Sequence, residues 1–453
     1  MPLFRRWADL PPDLLCRIGD RLHSLQWYAS ARGACTGWRR ALAPPSPSLL
    51  LVGPDLAKRC SLSVFLHCTN YHPSAASLPA RRSFHLNLIR PGRTCVGSSN
   101  GWLALALADR PGVFSLFNPI TAAEILLPPL LYGTGCVSKI VFAPRPAADD
   151  FVAAAICMNR LVYVTAGARR WAVLDPVRLA SADQLADLLY QLDRTVYCIT
   201  RYGDVHVLRL PERRRRKPIV VATEDPNPAT PLFIRQPTRV PSYPAAQMSL
   251  RIQQQRRVPA PSTVEPTQPH LNAPATVEPL LSDEDYLPFD PATSFAPPYD
   301  KVSIFTGAKT MVFCEGNLYQ IWRNASCAVT LQLPGGGFRR VEENEIFVLR
   351  YNPRRQPCWD VVTDLGGYSV FVGRNNTASM YAEGILGLNG NCVYWIGGSD
   401  GDEGMFFDMA TRRSTPCLPA VGRSAICWYF LSDMVNKCNN SNGGNNLSEP
   451  DKS

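Results

Sequence analysis

A unit of short β-strands recurs along the chain at an interval of about 45 residues, and this repeat restricts the possible folds more than any other feature. Copies that begin at Gly101 and Gly390 share one order: strand, tight turn, strand, polar loop, and a strand that ends in Leu-Pro. A spacing of about 40–50 residues is typical of the four-stranded blade of a β-propeller. Candidate first strands of the blades begin near Trp102, Phe151, Val196, Val302, Ile346 and Cys392. We therefore expect a six- or seven-bladed propeller, with a pair of β-sandwiches as the alternative.

One interval in this repeat, between the third and fourth copies, is more than twice as long as the others. The excess falls on residues 224–285, which are rich in Pro, Gln and Thr and contain the near-duplicate segments Ala260–Pro266 and Ala273–Pro279. This composition predicts a disordered insertion rather than a further blade. Elsewhere in the body, helical periodicity is confined to Ala180–Leu192, which predicts a helix there. The Asn-rich tail from residue 433 is expected to be disordered.

The first forty residues differ from the body because their apolar residues follow a helical spacing. Asp9 is a candidate N-cap, and Pro11 can occupy the first turn, where no backbone N–H is needed. Behind these residues, one stripe contains Leu14, Leu15, Ile18 and Leu22, and a second helical run contains Cys35, Trp38 and Leu42. Helices this short bury little surface alone. The head is therefore either a cap that packs on the next domain or a docking element for a partner.

Two segments of the head resemble the F-box, a three-helix motif that binds the Skp-type adaptor of a cullin ubiquitin ligase. They are Leu10-Pro-Pro-Asp-Leu-Leu15 and Cys35-Thr-Gly-Trp-Arg39, at the separation that the F-box has. The resemblance implies that the adaptor-binding residues are Leu10, Pro11, Leu14, Leu15, Ile18, Leu22, Cys35 and Trp38. Three positions depart from the usual motif, namely Ser30, Ala34 and Gly37.

The body is similar to that of plant F-box proteins that carry the kelch-like domain of unknown function 295. The segments that carry this resemblance are Cys95–Leu103, Phe117–Thr121, Gly390–Tyr394 and Met405–Asp408. The resemblance implies a substrate-recognition subunit of a Skp–cullin–F-box ubiquitin ligase. Its implied partners are the adaptor, the cullin reached through it, and a protein target of unknown identity held by the propeller.

Together these features predict an α+β multidomain chain in which a short three-helix F-box precedes an all-β propeller-like domain with a disordered Pro-rich insertion. The predicted boundaries are 4–45 for the head, 48–223 and 286–432 for the two parts of the propeller, 224–285 for the insertion and 433–453 for the tail. The first alternative is a free-standing propeller interaction module whose F-box is degenerate.

The sequence contains no candidate catalytic residue, cofactor site or metal site. Gly97-Ser-Ser-Asn-Gly101 matches the G-x-S-x-G pattern, but a strand follows it where a hydrolase nucleophile elbow has a helix. The soft-ligand cluster of Cys60, His67, Cys68 and His72 has no zinc spacing, and the acids Asp400, Asp402 and Glu403 occupy a turn. We therefore expect a non-catalytic protein.

A basic run follows Glu212 and is the strongest charge feature in a chain of net charge +10. It consists of Arg213, Arg214, Arg215, Arg216 and Lys217. A run of this kind can be a nuclear-import signal or a nucleic-acid contact, but it is more often a solvated hairpin loop. No interleaved aromatic residues accompany it, so nucleic acid is not the expected partner. A nuclear nucleic-acid-associated factor is the second alternative.

Cysteine usage and apolar run lengths indicate the compartment. The 15 cysteines contain no C-x-x-C pair, and most lie within apolar stretches, as free thiols do in a reducing environment. No apolar window reaches the roughly 18–20 residues that a membrane helix needs, and no apolar segment follows the two N-terminal arginines. We expect a location in the nucleus, the cytoplasm or both, without a membrane partner.

Overall fold

The computed structural model describes residues 7–52, 74–86, 93–107, 109–130, 137–174, 183–211, 275–280, 289–333, 335–397, 403–417 and 424–431. The described helices are α1 (Pro12–Arg21), α2 (Leu25–Ala34), α3 (Thr36–Ala41), α4 (Pro291–Ser294) and α5 (Tyr299–Phe305), preceded by a short 3₁₀ helix at Trp7–Asp9. No helix among these residues is long and apolar enough to cross a membrane.

Six antiparallel or mixed sheets form the blades of a six-bladed β-propeller. From inside to outside, the first blade contains β27 (Ser424–Tyr429), β1 (Ser48–Val52), β2 (Ser74–Ser77) and β3 (Arg82–His85). The second contains β4 (Arg93–Ser99), β5 (Trp102–Leu107), β6 (Phe114–Phe117) and β7 (Glu124–Leu126). The third contains β8 (Val137–Phe142), β9 (Val152–Cys157), β10 (Arg160–Thr165) and β11 (Ala172–Val173).

The remaining three blades follow in chain order. The fourth contains β12 (Leu185–Tyr190), β13 (Thr195–Thr200), β14 (Val205–Arg209) and β15 (Thr276–Pro279). The fifth contains β16 (Ala308–Cys314), β17 (Asn317–Arg323), β20 (Ile346–Tyr351) and β21 (Trp359–Val362), with a separate hairpin of β18 (Val329–Gln332) and β19 (Phe338–Val341). The sixth contains β23 (Ala378–Tyr381), β22 (Tyr368–Phe371), β24 (Cys392–Ile396), β25 (Gly404–Asp408) and β26 (Arg413–Pro416), with β22 parallel to β24.

The apolar side chains of a strand pack against two neighbouring blades, because successive side chains point to opposite faces of the sheet. In β9, Ala153 and Ala155 pack towards the second blade, whereas Ala154 and Ile156 pack towards the fourth. Six apolar clusters result, and each joins two consecutive blades. The strands therefore have continuous apolar sequences, since both faces are buried.

The two ends of the chain close the ring. The C-terminal strand β27 pairs antiparallel with the N-terminal strand β1, with Leu49 opposite Trp428. The inner edge of the first blade thus comes from the end of the chain, while its other three strands come from the beginning. Backbone hydrogen bonds between these distant segments hold the ring closed.

The predicted propeller is confirmed, and its blade number is six, but the predicted blade starts are wrong in detail. Trp102 and Val196 lie in second strands, Ile346 and Cys392 lie in later strands of the fifth and sixth blades, and Val302 lies in helix α5. The repeat interval was still detectable in the sequence, because the second strands of the blades, such as β5 and β9, carry long apolar runs. Inner strands such as β4, with its Gly-Ser-Ser end, have weaker patterns.

Two local predictions also differ from the structure. The predicted helix at Ala180–Leu192 is the inner strand β12 over its described part, because Leu188 and Leu189 must face opposite interfaces. The long-range pairing with β13 overrides the helical propensity of the leucines. Residues 276–279, within the predicted insertion, form strand β15, which pairs with β14 and completes the fourth blade. The rest of the insertion up to residue 274, and the tail, lie outside the described residues.

Candidate functional site

Two consecutive prolines determine where helix α1 begins. Pro11 is the N-cap residue with an extended backbone, and Pro12 occupies the first helical position, where a missing N–H costs nothing. Asp13 in the first turn and Arg21 in the last turn complement the helix dipole. The predicted N-cap Asp9 lies instead in the preceding 3₁₀ helix. Leu10 and Pro11 each precede a proline, which disfavours the helical conformation at both residues, so α1 begins only at Pro12.

Two adjacent leucines of α1 have different environments. Leu15 is 2% exposed, whereas Leu14 is 43% exposed. Gly19 is also buried, and a Cβ atom there would come within 2.5 Å of Leu42 Cδ2. The glycine therefore lets the residue that ends the head pack directly on α1. One face of α1 supports the fold, and the face that carries Leu14 meets solvent.

Helices α2 and α3 fix the other side of α1. Leu25 and Tyr28 of α2 are buried, and the Tyr28 hydroxyl donates a hydrogen bond to the Ala43 carbonyl at 2.9 Å. In α3, the Trp38 indole Nε1 donates to the Trp7 carbonyl at 3.1 Å. The tryptophan of the motif thus joins the last helix of the head to its first turn.

Arg82 at the start of β3 attaches the head to the first blade. Its guanidinium donates hydrogen bonds to the carbonyls of Gly19 (2.8 Å), Asp20 (3.0 Å) and Leu22 (3.1 Å), which lie at the end of α1. The last carbonyls of a helix have no partner within the helix, and a cation there also complements the dipole. A residue of the propeller therefore caps a helix of the head.

An apolar and backbone contact extends this junction. The rings of Tyr28 and Phe84 lie 4.6 Å apart, and the Arg82 guanidinium lies 5.0 Å from the centre of the Phe84 ring. The His85 N–H donates to the His23 carbonyl at 2.7 Å. The same apolar cluster contains residues of the head, the first blade and the second blade. The head and the propeller share one core at this junction.

We expect Arg82→Ala to loosen α1 without unfolding the propeller. Loss of three charge-assisted hydrogen bonds is expected to cost about 2 kcal/mol, which corresponds to roughly 30-fold faster amide exchange in α1. Hydrogen exchange measured by mass spectrometry on the full chain tests this. Arg81→Ala, at the exposed neighbouring position, is the matched control. Equal exchange rates in α1 for the two variants would contradict the capping role.

The eight predicted adaptor-binding residues do not form a single exposed surface. Pro11 and Leu14 are exposed and Leu15 is buried, whereas the others are partly buried. Leu22 and Trp38 pack against the cluster shared with the propeller. Sequence reasoning missed Trp7 and Trp27, which are large exposed apolar residues of the head, and Arg82, whose position about sixty residues downstream gives no local signal.

A polar cluster joins the inner strands of the third, fourth and fifth blades. Lys139 Nζ lies 2.8 Å from Asp187 Oδ1, and the Thr310 hydroxyl donates to the other carboxylate oxygen. Both charged side chains are almost fully buried, so each depends on the other for its charge balance. Asp187 and Thr310 also line a cavity of about 220 Å³, together with Ile321 and the stacked pair Arg323 and Trp395.

Asn376 links blades across the centre of the propeller. Its side-chain Nδ2 donates to the Tyr190 carbonyl at 3.0 Å, and its Oδ1 accepts from the Tyr190 N–H at 2.8 Å. Its own backbone N–H donates to the Ser98 carbonyl at 2.7 Å. The loop before β23 therefore joins the sixth blade to the second and the fourth, which stiffens the centre of the ring.

Nearby lysine and cysteine side chains have shifted pKa values. Burial lowers the pKa of Lys309, while the Asp183 carboxylate opposes that shift, and the ammonium donates to the carbonyls of Ser303 and Thr306. Burial raises the pKa of the Cys198 thiol, and nearby aspartates raise it further. Lys309 therefore ties α5 to β16, and Cys198 remains a neutral thiol.

The structure also locates part of the candidate catalytic, metal-binding and basic segments. Ser99 ends β4 opposite Trp102 of β5, so the G-x-S-x-G pattern is a hairpin turn. The described part of the chain holds no group of three or more His, Cys, Asp or Glu residues that could bind a metal. The Cys60–His72 cluster, Asp400 and Asp402, and the basic run 213–217 lie outside the described residues.

These features define a β-propeller protein-interaction module with a small helical head packed on its first blade. Residues 75–413 match the model of the KIB1-4 beta-propeller family, and the chain belongs to this family. No curated protein matches the chain. Among solved structures, it is similar to dihydro-heme d1 dehydrogenase NirN in complex with DHE, at 10% identity over 86% of this chain and 76% of that one, with a TM-score of 0.28. That similarity supports no inference about function.

Proposed function

We propose that this chain is a substrate-recognition subunit of a Skp–cullin–F-box ubiquitin ligase. In this role, the head binds the adaptor and the propeller holds a protein target. No catalytic residue is required of the chain, because ubiquitin transfer takes place on other subunits. The partners are the Skp-type adaptor, the cullin bound through it, and a target whose identity is open. A location in the nucleus, the cytoplasm or both belongs to the same proposal.

The observation that carries the proposal is the exposure of Leu14 beside the buried Leu15. The F-box motif has apolar residues at both positions, and the fold of the head uses only one of them. An exposed leucine next to Pro11 on α1, on a head that also exposes Trp7 and Trp27, is typical of a protein-docking surface. A cap folded only onto its own propeller would bury Leu14.

The junction between head and propeller suits a recruiting subunit. A ligase must hold its target at a defined position relative to the adaptor. Arg82, Tyr28 and Phe84 give the head a fixed orientation on the first blade. A target bound to the propeller would consequently have a defined position relative to a bound adaptor.

Co-expression with a plant Skp-type adaptor tests the proposal directly. We expect a stable one-to-one complex in size-exclusion chromatography, since the apolar surface on α1 would be covered. A folded chain that elutes alone would contradict the ligase role. That result would support the free-standing propeller module, and the search for partners would then move to the propeller surface.

A further inference from the structure

Two cysteines from distant parts of the chain meet between the first two blades. Cys95 lies in β4 and Cys427 lies in the closing strand β27, and their sulfur atoms are 3.4 Å apart. Both residues are buried in the cluster that joins the two blades to the head. A disulfide has a sulfur–sulfur length of about 2.05 Å, so the two sulfurs need to approach by only about 1.4 Å.

Neighbouring contacts hold the two strands in place around the sulfurs. The Ser98 hydroxyl of β4 donates to the Trp428 carbonyl of β27, and the Tyr429 hydroxyl donates to the Gly101 carbonyl at 3.2 Å. The Cys95 thiol also lies 3.3 Å from the Gly97 carbonyl. These contacts hold β4 against β27 on both sides of the two sulfurs.

Electrostatics favour ionisation of one member of the pair. The hydrogen bond from Cys427 lowers the pKa of Cys95, and the positive charge of Arg374 lowers it further, against the opposing effect of burial. Burial raises the pKa of Cys427, which stays protonated as the donor. The shift favours the thiolate form of Cys95, which is the form that reacts when a disulfide is made.

We propose that Cys95 and Cys427 form a reversible disulfide that locks the closing strand of the propeller. The oxidant is a peroxide. The Cys95 thiolate attacks one peroxide oxygen, the O–O bond breaks, and with one proton the products are a sulfenic acid and water. The Cys427 sulfur then attacks the sulfenic sulfur and loses its proton, a second water leaves, and the S–S bond forms. In total, two thiols lose two electrons to one peroxide.

The position of the pair determines what the bond would do. The residues are 332 positions apart in sequence, and β27 is the strand that closes the ring. A terminal strand opens more readily than the rest of a fold, which also gives a small oxidant access to the buried thiols. A covalent link from β27 to β4 would prevent that opening and restrict the unfolded chain.

Peptide mapping of the reduced full chain, treated with hydrogen peroxide and then alkylated, tests the proposal. We expect a linked peptide pair that contains Cys95 and Cys427, and a rise in Tm on the order of 5 °C that dithiothreitol reverses. Cys95→Ser and Cys427→Ser should lose both effects. Cys358→Ser, a buried thiol elsewhere in the propeller, should keep them.

The wild-type chain alone can overturn the proposal, even if a serine variant fails to fold. Sulfinic acid at Cys95 without a linked peptide would show that Cys427 does not resolve the sulfenic acid. Two unmodified thiols, under peroxide conditions that oxidise the exposed Cys16 and Cys327, would show that the pair is inert. A linked peptide without a change in Tm would overturn the locking role.

Discussion

Leu14→Asp is expected to weaken binding of the Skp-type adaptor at least about a hundredfold, while the propeller stays folded. Burying a leucine side chain contributes about 1.5–3 kcal/mol, and a carboxylate placed in an apolar interface adds a desolvation cost. A hundredfold loss corresponds to about 2.8 kcal/mol, which these two effects together supply. Because Leu14 is 43% exposed, the change should leave the free chain intact. Isothermal titration of the purified chain with adaptor measures the effect.

Two control variants separate docking from folding. Leu126→Asp places the same charge at a leucine that is 54% exposed on strand β7 of the second blade, and it should not change adaptor affinity. Leu15→Ala removes a buried side chain, so it should lower the stability of the head by about 2–4 kcal/mol. Adaptor binding that is unchanged by Leu14→Asp would remove the basis for assigning this surface to the adaptor.

The repeat was visible in the sequence because the propeller buries its strands on both faces. A strand such as Val152–Cys157 has an unbroken apolar run, and turn residues follow it at a regular interval. The runs have the length of strands, and their regular spacing indicates a repeated structural unit. The insertion at residues 224–285 is a prediction from composition, and residues 276–279 within it form strand β15. The spacing therefore indicated six or seven blades without knowledge of any pairing, and the structure has six.

The sequence could not show which segments form the strands of each blade. That assignment depends on pairing partners that local sequence patterns do not reveal. Leu185–Tyr190 has the composition of a helix, and its pairing with Thr195–Thr200 makes it a strand. Thr276–Pro279 lies among Pro-rich residues, and it becomes ordered because β14 offers an unpaired edge. In both cases the tertiary contact decides the local structure.

The candidate site was only partly predictable for the same reason. The motif identifies apolar positions on α1, but it does not say which of them the head needs for its own fold. The structure distinguishes the two leucines, because Leu15 is buried and Leu14 is exposed. Arg82, which caps α1, could not be predicted from the head segment, since it belongs to the outermost strand β3 of the first blade.

Asp187→Ala is expected to lower the free energy of unfolding by about 3–5 kcal/mol. The change removes the carboxylate that faces Lys139 at 2.8 Å and leaves a buried ammonium without its counter-charge. It also removes the acceptor of the Thr310 hydroxyl, so contacts among three blades are lost together. Denaturant unfolding followed by tryptophan fluorescence measures the loss. Asp187→Asn keeps the size and one acceptor oxygen, so it should be less harmful than alanine.

A double substitution distinguishes two causes of this instability: an unpaired buried ammonium, or the loss of the hydrogen bonds that the carboxylate accepts. Lys139→Met with Asp187→Leu replaces the pair by apolar side chains of similar volume, and it should recover most of the stability that Asp187→Ala loses. Recovery would mean that the ion pair itself adds little to stability, and that the cost of the single change comes from the unpaired ammonium. A double variant as unstable as Asp187→Ala would mean instead that the carboxylate is needed for its hydrogen bonds. The cluster would then be a required polar link between blades, as Asn376 is between the sixth blade and the second and fourth blades.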